Sequence, residues 1–103
     1  MRPRPRGVPG PSVSEAAGAF AALAACIESG GSMEQVITRL RAAWSQCDHQ
    51  ASGRPAGGDA QHRLSNVQQA LETWQRVWPR LGSQREFRAA VSREARLWAK
   101  TLS

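Results

Sequence analysis

The chain contains no tyrosine, a single lysine (Lys100) and only two cysteines (Cys26 and Cys47) in 103 residues. Without tyrosine, one common acid–base and metal-site side chain is missing. Two cysteines cannot build a disulfide-rich secreted scaffold. No apolar run approaches the roughly 18 residues that a membrane span requires. No stretch alternates apolar and polar residues as a half-buried strand would, and no segment repeats. Also missing are a phosphate-cradling glycine loop, paired carboxylates, and a nucleophile with a base at useful spacing. We therefore expect neither an enzyme nor a cofactor.

What is present is basic and moderately apolar. Thirteen arginines and Lys100 stand against eight acids, a formal net charge of +6. Arginine's planar fork binds phosphate or carboxylate bidentately. So lopsided a ratio, with abundant alanine and glycine, also fits coding bias in a GC-rich genome. The hydrophobic fraction of 41% is too high for wholesale disorder, and the length allows one domain with a small core. Four tryptophans (Trp44, Trp74, Trp78, Trp98) each bring a large apolar body and one N–H to satisfy.

Residues 1–12 hold prolines at 3, 5, 9 and 11 and no apolar periodicity, which predicts a disordered basic arm. Val13, Ala16, Phe20, Leu23 and Ile27 then recur at helical spacing. They predict a weak, alanine-rich helix over about 13–29, broken by Gly30 and Gly31. Ser32-Met33-Glu34-Gln35 reads as a capping box. It opens a helix over about 33–49 that carries Val36, Leu40, Ala43, Trp44 and Cys47 on one face. Residues 50–58 are small and glycine-rich, a flexible linker. Asp59 is placed to cap a helix over about 60–78, which Pro79 should end. Ser83 and Glu86 suggest a second capping box before a last helix over about 84–102. The expected fold is all-α: a small three-helix bundle over 32–103, with 13–29 as an optional fourth helix.

Three accounts of residues 1–32 compete. In the first they are an arm and a helix that completes a four-helix bundle. In the second, Leu23-Ala24-Ala25-Cys26 resembles a bacterial lipobox, which would imply a membrane-anchored lipoprotein lipidated at Cys26 and cleaved before it. The preceding stretch is mostly alanine, thin for such a signal. In the third, translation starts at Met33, and residues 1–32, the helix and glycine break at 13–31 included, are absent from the native protein. A mitochondrial presequence fits least, because the prolines oppose its amphipathic helix.

Cys47, Asp48 and His49 with His62 could supply metal ligands, but the set straddles the linker and Cys47 lies on an apolar face. A buried thiol and two surface histidines are expected instead, with no metal. In a hairpin turning at Gly30-Gly31, the two cysteines stand about 20 Å apart along the helices, beyond the roughly 7 Å limit for bridging. Reduced thiols agree with a cytoplasmic location. By helical angle, Glu94 falls between Phe87 and Trp98 and is a candidate buried acid, needing a Trp N–H or an arginine unless it snorkels from the rim.

These features predict a small, non-enzymatic helical module that acts through protein–protein contact, self-association included. So small a bundle should not bury every tryptophan, which makes Trp44, Trp74 and Trp78 candidate partner contacts. The alternative is a nucleic-acid-binding protein using the basic face of the last helix. Its candidate contacts are Gln84, Arg85, Arg88, Arg93, Arg96 and Lys100, with helix 60–78 and helix 84–102 read as a helix-turn-helix.

Overall fold

A computed structural model of the chain describes residues 11–52 and 58–102, with the side chains of 15–50 and 62–102. The described residues form four α-helices and no strand: α1 (Pro11–Glu28), α2 (Met33–Ser52), α3 (Gly58–Leu81) and α4 (Arg85–Leu102). The all-α expectation holds. The N-terminal helix, read from sequence as weak and optional, is a full member of the bundle.

Local chemistry sets most of the helix ends. Pro11 occupies the first position of α1, where its missing N–H costs nothing. Residues 11 and 12 of the expected arm are therefore helical, and residues 1–10 lie outside the described residues. At the other end Gly30 takes φ +82°, a conformation that favours glycine. The Gly30 N–H donates to Ile27 C=O at 3.1 Å and the Gly31 N–H to Cys26 C=O at 2.9 Å. Those two bonds make a Schellman cap. One residue later the predicted capping box is in place. Gln35 N–H donates to Ser32 Oγ at 3.2 Å, and Ser32 N–H donates to Gln35 Oε1 at 2.9 Å.

Other boundaries differ from expectation. Residues 50–52 and 58 of the expected linker are helical, and Asp59 lies inside α3 rather than capping it. Residues 53–57 lie outside the described residues. α3 also runs through Pro79 to Leu81 instead of ending at Trp78. Tertiary packing outweighs the lost hydrogen bond there, a cost of about 3 kcal/mol in a helix interior. The Trp78 side chain, 1% exposed, is carried into the core by that last turn. Its ring meets Phe87 with centroids 5.3 Å apart, and the Arg88 guanidinium lies 5.6 Å from its centroid. Gly82 closes α3 beneath the same indole. A Cβ there would stand 2.7 Å from Trp78 Cδ1 and Cε2, so no larger residue fits without a shift. The second capping box is not formed. The Arg88 N–H donates to Gln84 C=O, which puts the cap one residue past Ser83.

Short connections keep successive helices close in space. α1 packs extensively on α4 and on α2, and α2 packs on α3. α3 and α4 touch only slightly, where the rings of Trp78 and Phe87 meet. α1 is central because it is apolar nearly all round. Ala16, Ala17, Phe20, Leu23, Ala24 and Ile27 are all buried. Its alanines let neighbouring backbones come close, while Phe20 and Leu23 fill the middle of the core with Leu40, Leu64 and Leu71.

Candidate interaction surface

α4 was the strongest sequence lead, and its basic side chains have unequal fates. Arg88 turns inward. Its Nη1 donates to Gly82 C=O at 2.8 Å, and its Nη2 donates to Ile27 C=O at 3.0 Å and Gly31 C=O at 3.2 Å. These carbonyls sit at the C-terminal ends of α1 and α3, where peptide dipoles leave partial negative charge. A planar cation with several fixed donors suits that junction. Arg88 is therefore a staple between helix ends, not a contact held out to a ligand.

Arg96 is committed in another way. Its Nη2 and Nε donate to the two carboxylate oxygens of Glu28 on α1, at 2.6 and 3.1 Å. The pair is on the surface, about half exposed on both sides. The hydrogen bond from Arg96 holds the Glu28 carboxyl below its ordinary value, and Glu28 in turn raises Arg96. Gln84, Arg85, Arg93 and Lys100 are exposed. Gln84 serves as the cap of α4. Arg85 and Arg93 make no ion pair within the described residues.

The tryptophans are not left over. Trp74 is 8% exposed and Trp78 1%, so both belong to the core, contrary to the expectation that they form an outer patch. The bundle has room for them because the alanine-rich α1 occupies little of it. Trp44 is half-buried between α2 and α3, with its Nε1–H donating to Glu72 Oε2 at 2.9 Å. Gln68 Nε2 reaches the Trp44 C=O from the same side at 3.4 Å. Trp44 thus ties two helices together.

Glu94 is exposed rather than buried. α4 turns Val91, Ser92, Ala95 and Leu102 inward, which rotates its buried face away from the Phe87–Trp98 arc that the sequence marked. The reason is α1. Its small residues accept the small side of α4 at close range, so Phe87 and Trp98 end at the edge, half-buried.

That rotation exposes a face the sequence reading missed. Leu97 is 63% exposed, the more open of the two large exposed hydrophobic residues among the described residues, with Met33 at 49%. It lines a shallow groove along α4 with Ala90, Arg93, Glu94, Arg96, Trp98 and Lys100. The available signal was that Leu97 fits neither the apolar stripe of Phe87, Val91 and Leu102 nor the basic one.

No constellation of reactive groups accompanies this face. His49 and His62 are exposed, Cys47 is fully buried, and no three metal-ligating side chains gather among the described residues. Burial pushes the Cys47 thiol up to about 11. Cys26 and Cys47 are both free. No helix among the described residues is long and apolar enough to cross a membrane. Set against protein-family models, curated proteins and solved structures, the chain matches none of them.

Proposed function

We propose that the protein is a small, non-enzymatic helical module that works by protein–protein contact through the outer face of α4, self-association included. The observation that carries this is Leu97, 63% exposed beside the half-buried Trp98. A large aliphatic side chain next to an aromatic edge has the makeup of an interface core, and Arg93 and Glu94 supply a polar rim. A cytoplasmic setting fits the two free thiols. Processing at the lipobox-like Leu23-Ala24-Ala25-Cys26 would strip Phe20, Leu23 and Ala24 from the core, which favours an uncleaved chain.

Nucleic-acid binding through α4 has less support. Arg88 is spent on three backbone carbonyls and Arg96 on Glu28. The test is in-cell cross-linking of the full chain and of Leu97→Glu, whose exposed site tolerates the change. Loss of a cross-linked protein in Leu97→Glu, with helicity and melting unchanged, supports the proposal. A cross-linking pattern indifferent to Leu97 overturns it, as does a salt-resistant complex with duplex DNA or RNA that Arg85→Ala/Arg93→Ala abolishes.

A further inference from the structure

We infer that the occupant of the α4 face is a second copy of this chain, held α4 against α4 in a parallel two-fold pair. This rests on the protein-contact function proposed above and names its partner.

Glu86, Ala90, Arg93, Glu94, Leu97 and Thr101 recur at steps of three and four, so they share one side of α4, and all are exposed. Ala90 and Leu97 are seven residues apart and run nearly in line along the middle of that side. Arg93 and Glu94 are consecutive, roughly 100° apart around the axis, and so flank that line on opposite sides. Neither makes an ion pair within the described residues.

A two-fold axis parallel to the helices keeps each residue at its own height and exchanges left for right. Leu97 then meets Leu97 of the second copy, and the small Ala90 lets the backbones approach. Arg93 of each copy faces Glu94 of the other, giving two ion pairs from one patch. An antiparallel pair instead keeps left facing left. Crossing at residues 93 and 94 opposes arginine to arginine and glutamate to glutamate, and crossing at Leu97 sets Arg93 against Lys100. Crossing near Ala90 joins Arg93 to Glu86 but carries Leu97 past the start of the partner helix. Leu97 and the charges together thus select the parallel arrangement, in which the patch is complementary to itself, as an isologous interface requires. Nucleic acid is the poorer occupant, because Arg96 of the same groove is paired with Glu28 and Glu94 adds a negative charge beside Arg93.

One helix pair lies at the small end of specific interfaces, so the dimer should dissociate on the order of tens of micromolar. The experiment is sedimentation equilibrium on the full chain from a few micromolar to about a millimolar. The mass should climb from 11.2 kDa toward twice that value. Arg93→Glu and Glu94→Arg should each weaken the dimer about tenfold or more by setting like charges opposite one another. The double swap should restore the affinity to within about threefold, because the pairs re-form with reversed sign. All three variants change exposed residues, and circular dichroism checks that the helices persist.

A chain that stays monomeric throughout overturns the self-pairing. The wider protein-contact function then depends on the Leu97→Glu cross-linking alone. A dimer indifferent to the single substitutions overturns the parallel α4 geometry while self-association stands. A double swap as weak as the singles also overturns the parallel geometry.

Discussion

At the scale of single residues, two side chains matter for reasons that their type alone does not reveal. Arg88 satisfies three carbonyls at two helix ends. Removing it leaves partly buried acceptors without donors, which should destabilise the fold by about 2–4 kcal/mol. Arg88→Ala is expected to show that loss in urea unfolding, and Arg88→Lys should recover little, because an ammonium cannot span the same fork. Cys47 is the second. Its thiol is raised to about 11 from an ordinary 9.0 because burial opposes the thiolate. A group raised in the folded state contributes stability below its unfolded value and loses it as pH climbs through the folded one. Stability should therefore fall between about pH 9 and 11, and Cys47→Ala should flatten that slope. A thiol reagent at neutral pH should label the half-buried Cys26 first and Cys47 only on unfolding.

Among the elements, α1 reverses the weight that the sequence assigned. Its alanine stripe looks feeble by hydrophobicity, yet its smallness lets α2 and α4 pack against one rod from two sides. Phe20 and Leu23 are wholly buried between them. Phe20→Ala should cost about 3–5 kcal/mol in chemical denaturation. A chain beginning at Met33 should lose its cooperative melt, since α4 would expose Val91 and Ala95. A cooperative transition from residues 33–103 alone would show instead that α2, α3 and α4 hold one another without α1. α4 gives the complementary lesson. Its inward face was only partly legible: Val91 and Leu102 are buried as their spacing suggests, but Ser92 and Ala95 carry almost no hydrophobic signal and take the place that Phe87 and Trp98 claimed. Packing chose the small side because α1 offered a small partner.

For the whole molecule, the net charge of +6 is a weak guide to function, because two of the α4 cations are engaged within the fold. Binding to duplex DNA is expected to be weak and to vanish as salt is raised toward physiological strength. Fluorescence anisotropy titrations across ionic strength check this, and a tight complex that survives salt would contradict it. The helical class, helices α2 to α4 and the Ser32–Gln35 cap were legible in the residues, with α1 only as an optional helix, because periodicity and capping are local and act within one or two turns. Helix ends such as the passage through Pro79 were not, since a buried Trp78 overrode a local rule. The candidate site was least legible of all. Which side of α4 faces outward, and therefore that Leu97 is exposed while Arg88 is spent inside, depends on how the small residues of α1 receive it. That is a property of two helices packed together, and no single stretch of chain contains it.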